Sequence, residues 1–416
     1  MPLSRHLYSS DDIQAALSYS ISQNSVKESL FWAKELVESG YASEAISVLF
    51  HTWLFNCGHT CIRWLIDAWA TFQSDEITEQ DILLSTYNLS KYSITDSSLW
   101  NIVTLATQFT NSPPDRITKR KPHSWDSDNA IETFFICSIY QGKSLSAWWA
   151  SRYIPEERVW ELLEWFTENA YTNYKKEYMI SIDALKNYDT LLGYKTDEYD
   201  VIIRCQAILL FCIKPVQQST SFRNLSLTID KDNLESIQEW DKNSGTKKRR
   251  VFKIPTACLY GTTKRGLMKW SSNNFSEINN IEENILGCPF WDDVLLTFAT
   301  ICDGRIEWNS EESLQEFYET YFPDDIPDEW SKSDKSVSHG DGILGPTDKI
   351  TIWKYSRNYL SKKSRLNWNQ TKASNKILEQ IDIPDCNISK IIGLYIEPSE
   401  IIYDKLKPVT KRLICS

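Results

Sequence analysis

The sequence predicts a mainly α-helical protein: an antiparallel helical bundle or an irregular α-solenoid, with a small β element near 222–270. Three observations carry that expectation. Apolar residues recur at spacings of three and four through most of residues 11–213, as they do in helices that bury one face. Residues that start and stop helices bracket those stripes. After Pro215 the pattern turns to alternation at Leu225, Leu227 and Ile229, which suits a strand.

Val26, Leu30, Ala33 and Val37 make the first clear stripe. Ser25 with Glu28 three residues on reads as a capping box, and Gly40 suits the left-handed position after the last turn. Ile46, Leu49, Phe50, Trp53 and Leu54 form a second stripe, stopped by Gly58, and Ile62, Leu65, Ile66 and Trp69 form a third. Further helices are expected over 96–110, 128–140, 144–152, 155–174 and 197–213. The 155–174 helix has Pro155 at its first position and glutamates in its first turn, where the macrodipole favours them. Short turns between helices of about 12–18 residues make antiparallel neighbours. No tetratricopeptide, ankyrin or leucine-rich period recurs.

Residues 111–122 (Asn-Ser-Pro-Pro-Asp-Arg-Ile-Thr-Lys-Arg-Lys-Pro) interrupt the helices as a basic, proline-punctuated linker. An exposed, solvated loop is the expectation for it. A second strand is expected over 250–260, before a turn spanning Gly261 to Gly266. Helices return at 291–302, 310–322 and 371–381, and 391–415 reads equally as strand or helix. Three regions result: an N-terminal helical domain at 1–110, a second helical region at 123–215 and a mixed α/β region at 216–416.

A chain of 416 residues is long enough for two or three domains. With 45 basic and 56 acidic residues the net charge is −11, which opposes wrapping by nucleic acid or docking on an anionic membrane through bulk charge. Any such contact falls to a local patch. The first residues lack the apolar stretch of a secretion signal, and no apolar run approaches the roughly 18 residues of a membrane span. Ten cysteines, including Cys137 and Cys212 inside apolar helical segments, read as buried, reduced thiols of a cytoplasmic protein rather than as a disulfide framework.

His51, Cys57, His59 and Cys61 form the tightest group of metal-capable residues. Zinc takes four such ligands, but no second ligand pair follows at finger spacing, so a structural turn with no metal and no cofactor is expected. The glycine-rich stretch 338–346 lacks the Gly-Lys-Ser/Thr ending of a phosphate loop and reads as a mobile loop. Asp324, Asp325, Asp328 and Glu329 lie between stiffening prolines and Trp330. They are expected as a rigid interaction loop anchored by Trp330. With His339 the same carboxylates are candidates for hydrolase or nuclease chemistry.

Lys247, Lys248, Arg249, Arg250, Lys253, Lys264, Arg265 and Lys269 surround Phe252, Tyr260 and Trp270. Cations interleaved with rings suit nucleic-acid contact, phosphates to the charges and bases to the rings. Seventeen tryptophans, Trp148, Trp149, Trp160 and Trp165 among them, supply large buried area. Some are expected at the surface as anchors for a protein partner.

The stretches 28–40 (Glu-Ser-Leu-Phe-Trp-Ala-Lys-Glu-Leu-Val-Glu-Ser-Gly), 321–331 (Tyr-Phe-Pro-Asp-Asp-Ile-Pro-Asp-Glu-Trp-Ser) and 338–342 (Ser-His-Gly-Asp-Gly) resemble a family of uncharacterised proteins encoded by large nucleocytoplasmic DNA viruses. The resemblance implies a viral protein of the host cytoplasm or the virion, and brings no catalytic residues with it. Residues 11–66 are also similar to the helical collar of clamp-loader-like ATPases, but no phosphate loop accompanies them. The function expected is a non-catalytic helical scaffold or adaptor with protein partners and no membrane contact. Nucleic-acid binding through 247–270 and hydrolysis through 324–339 are the alternatives.

Overall fold

The computed structural model describes residues 3–8, 10–72, 77–94, 96, 98, 99, 102, 113–170, 174–188, 197–213, 215–243, 252, 254 and 285–321. The chain runs through α1 (Ser10–Ser22), α2 (Val26–Glu38) and α3 (Ala42–Thr52), then a π turn at Trp53–Cys57 and a 3₁₀ turn at Gly58–Cys61. Then come α4 (Ile62–Phe72), α5 (Glu79–Tyr92), α6 (Ala130–Tyr140), α7 (Ser144–Ser151), α8 (Glu156–Ala170), α9 (Lys175–Lys186), α10 (Asp197–Phe211), α11 (Pro215–Ser221) and α12 (Lys231–Asn243). After α13 (Pro289–Phe298), β1 (Ala299–Cys302) and β2 (Arg305–Trp308) pair before α14 (Glu311–Tyr321). The protein is mainly α with a small β element, as its apolar periodicity predicts.

Among the described residues the β element lies at 299–308, beyond the 222–270 stretch where one is expected. β1 and β2 form an antiparallel hairpin with Ala299 opposite Trp308 and Cys302 opposite Arg305. Asp303 and Gly304 turn it with φ of 50° and 72°, the paired left-handed residues of a type I′ turn. That Asp-Gly signal was present at the end of a stretch read as helical to residue 302; Phe298 is the last helical residue. Residues 223–230 contain no strand. Leu225, Leu227 and Ile229 would share one face of a strand, yet Ile229 is buried and Leu227 is 91% exposed. Of the expected strand at 250–260 only Phe252 and Ile254 are described, and the elements at 371–381 and 391–415 lie outside the described residues.

The described residues form two compact units, each drawn from separate stretches of chain. One takes them from Met1–Thr52, Glu76–Ser93 and Ser226–Ser356, the other from Trp53–Asp75, Ile94–Leu225 and Arg357–Ser416. In the first unit α2 is central. Its residues 29 to 36 are all buried, Lys34 and Glu35 included, because α1, α3, α5 and α12 pack around it. Tyr8, Phe31, Trp32, Trp240 and Phe252 interlock there, mostly edge to face, the arrangement ring quadrupoles favour.

The start of α2 departs from expectation: Ser25 makes no side-chain cap bond, its hydroxyl instead facing Glu28 at 3.4 Å. The capping box sits on α5, where Thr78 and Asp81 bond reciprocally. The end of α2 is as expected. Gly40, at φ 85°, lets its own N–H reach Val37 and the N–H of Tyr41 reach Leu36, at 2.9 and 2.8 Å, which closes a Schellman motif.

In the second unit α6 packs on α7, and α9 packs on α4, α8 and α10. Phe166, Tyr178 and Phe211 form its ring cluster. No described tryptophan is exposed, and most of the described ones are core rings, since burial recovers their large apolar area, while Trp69, Trp165 and Trp308 are half-buried. None of the described helices is long and apolar enough to cross a membrane.

Candidate functional site

The basic residues Lys247, Lys248, Arg249, Arg250, Lys253, Lys264, Arg265 and Lys269 lie outside the described residues, as do Asp324, Asp325, Asp328, Glu329, Trp330 and His339. Phe252 is described. Its ring is held 5.0 Å from that of Phe31, and its carbonyl accepts from the Tyr8 hydroxyl at 2.5 Å. Phe252 is therefore half-buried and packed into the ring cluster of the first unit.

The His/Cys segment is a backbone junction. The helix expected to end at Gly58 changes pitch at Trp53 into the π turn, and the displaced backbone groups find side-chain and loop partners. The side-chain nitrogen of Gln206 donates to the Leu54 carbonyl, Asp96 donates its N–H to Asn56 at 2.8 Å, and the indole of Trp53 donates to Cys61 at 2.9 Å. His59 sits between Gln206, whose oxygen is 2.8 Å from Nδ1, and Asp96, 3.6 Å from Nε2. Burial pushes the His59 pKa down although Asp96 and Gln206 oppose it, and burial pushes the Cys61 thiol up to about 12. Neutral thiols donating to carbonyls, as Cys57 does to Trp53, are poor ligands and poor nucleophiles. Among the described residues no three His, Cys, Asp or Glu side chains gather as a metal site.

Ser4, His6 and Glu35 form a second buried polar group that the sequence pattern did not reveal. Both the Ser4 hydroxyl and His6 Nδ1 bond to the Glu35 carboxylate, and the backbone N–H of His6 reaches it at 2.9 Å. A nucleophilic triad needs serine bonded to histidine and histidine to the acid. Here serine and histidine converge on the same acid, so the group ties residues 4–6 to α2 without activating the serine. Burial opposes the Glu35 charge, but the His6 charge and these donors hold its pKa below the usual carboxylate range.

The most unusual exposed feature is the loop before α12. Ser226 donates its N–H to Asn88 and accepts from the same side chain, both at 2.9 Å, and its hydroxyl meets that of Tyr92 at 2.6 Å. Tyr87 donates to Asp230 at 2.8 Å, and Asp230 accepts the N–H of Asn233 at 3.0 Å. These bonds fix both ends of the loop to α5 and α12. Between them Leu227 stands 91% exposed, with Leu234 40% exposed on α12. Comparison of the chain with protein-family models, curated proteins and solved structures gave no match.

Proposed function

We propose that the protein is a non-catalytic helical adaptor that docks a protein partner through the loop carrying Leu227. A single exposed leucine is ordinary on a surface. What supports the reading is its mounting: the Asn88 side chain holds the Ser226 backbone by two hydrogen bonds, and the side chains of Ser226 and Asp230, on either side of Leu227, are bonded to Tyr92, Tyr87 and Asn233. A partner that covers Leu227 orders little further chain, and a preorganised apolar side chain entering a pocket is the form that interface anchors take. The buried, hydrogen-bonded state of Ser4, His6, Cys57 and His59 supports the non-catalytic half of the reading.

The proposed setting is the host cytoplasm during infection by a large DNA virus, resting on the resemblance of residues 28–40, 321–331 and 338–342. Affinity capture from infected cells tests the docking reading with wild-type protein beside Leu227→Asp, whose exposed position leaves the fold intact. The expected result is a protein held by the wild type and lost by the variant at an unchanged melting temperature. A variant that retains every wild-type partner overturns the reading.

A further inference from the structure

We propose that the linker at 113–123 is a binding site for single-stranded nucleic acid, its phosphates engaged by Arg116, Lys119, Arg120 and Lys121 and a base stacked at Tyr140. It shares no residue with the basic patch at 247–269 or with the Leu227 loop, and it does not rest on the adaptor reading.

The six residues from Arg116 to Lys121 contain four cations and no acid, between Pro113-Pro114 and Pro122. In sequence such a run reads as a mobile, solvated loop. The structure holds it in place. The Gln141 side chain, just past the end of α6, accepts from the N–H and hydroxyl of Thr118 at 3.2 and 2.9 Å and donates to the carbonyls of Thr118 and Arg120 at 2.9 and 3.0 Å. One amide thus uses its oxygen and nitrogen twice each to fix the middle of the linker. At its start the N–H of Asp115 donates to Ser146 of α7 at 3.1 Å. At its end Pro122 is buried and its carbonyl accepts from Trp125 at 3.1 Å.

The backbone is fixed while the charges stay in solvent. Arg116, Lys119, Arg120 and Lys121 are all exposed, as are His123 and, in the same unit, Lys143. The ion pairs among the described residues of this unit join other groups, such as Arg158 to Glu132 and Arg204 to Glu156, and leave the four linker cations without a carboxylate. Folded proteins with net negative charge commonly neutralise exposed cations in ion pairs; this run is left available for an anion. The guanidinium of Arg120 lies 5.6 Å from the centre of the Tyr140 ring, and that ring is 41% exposed. Phe166 holds it edge to face at 6.4 Å.

Cations beside an exposed ring and a guanidinium plane match a chain of alternating phosphates and flat bases. An acidic protein segment would satisfy the charges but not the ring. With a net charge of −11 on the whole protein, attraction operates only within a screening length of about 10 Å at 0.1 M salt. The contact is therefore short and strongly salt dependent. Four phosphates neutralised on a single strand correspond to a slope of roughly −3 in log affinity against log salt.

The test is fluorescence anisotropy of a labelled oligothymidylate with the full chain, at several salt concentrations. Wild type is expected to bind at low salt with that slope. Lys119→Glu with Lys121→Glu is expected to weaken binding by about tenfold or more and to flatten the slope. Tyr140→Ala is expected to weaken binding, and Tyr140→Phe to keep it. Circular dichroism confirms folding of each variant. Absence of binding at low salt overturns the proposal. So does binding that survives the linker changes and disappears on alanine substitution of Lys247 to Arg250. Equal competition by polyglutamate together with indifference to Tyr140→Ala also overturns it, and assigns the patch to an acidic protein segment.

Discussion

The side-chain oxygen of Gln206 accepts the backbone N–H of His59 at 3.1 Å, while its nitrogen donates to the carbonyl of Leu54. One residue of α10, far along the chain, thereby satisfies peptide groups on both sides of the change from π to 3₁₀ turn. Gln206 is buried, so no water takes over if it is removed. Gln206→Met keeps the volume and strands a buried N–H and a buried carbonyl. The expected cost is about 2–4 kcal/mol, read as a lower urea midpoint at unchanged slope.

Gly40 and Gly304 separate two costs of adding a methyl group. Both have positive φ, 85° and 72°, which burdens an alanine with roughly 1 kcal/mol or more. At Gly304 a Cβ meets nothing within 4 Å, whereas at Gly40 it falls 2.4 Å from Cβ of Pro289. Both atoms there belong to rigid groups, so relief requires α13 to shift. Gly304→Ala is expected to cost about 1 kcal/mol and Gly40→Ala clearly more, about 2–4 kcal/mol. Equal losses in melting temperature would contradict this account.

His51 is buried, and burial lowers its pKa to about 4 from an ordinary 6.5. The folded state thus binds fewer protons than the unfolded chain between those values. Stability from this group is full above pH 6.5 and falls as the pH drops toward 4, by about 3 kcal/mol in all. His51→Gln is expected to flatten that part of the stability profile. An unchanged profile between pH 6.5 and 4 would show that His51 is not held neutral.

Glu35 also has a lowered pKa, for a different reason: His6 and the Ser4 hydroxyl stabilise its charge against burial. Its contribution is present above the ordinary glutamate pKa of about 4.3 and disappears as pH falls through the lowered folded value. The groups facing it also include the backbone N–H of His6. Glu35→Gln is expected to destabilise the protein at pH 7 by about 3 kcal/mol, since a buried pair loses one member. The gap to wild type should close in acid; a gap constant down to pH 2 would place the loss in packing.

Much of the fold was legible because it rests on local signals. The stripes at Val26–Val37 and Ile62–Trp69, the Gly40 terminator and the glutamates opening α8 each act within a few residues of chain. α5 carries no clear apolar stripe because Ser85, Thr86, Asn88 and Ser90 are among its buried residues. The loop at 223–230 shows the opposite failure. Its alternation of Leu and Ile looks like a strand, but among the described residues no strand pairs with it, and Asn88 and Tyr92 of α5 bond the backbone and hydroxyl of Ser226 instead.

The sequence by itself determined the helical class, the absence of a known catalytic frame and the position of the basic linker, since periodicity, motif spacing and charge are properties of short stretches. Only the tertiary structure decided that most of the described tryptophans are core, that Ser4 and His6 share one carboxylate, and that the linker is pinned by Gln141 with its cations outward. Those outcomes depend on hydrogen bonds and packing between residues tens to hundreds of positions apart, where burial determines the protonation of each group and leaves Leu227 and the 116–121 cations in solvent.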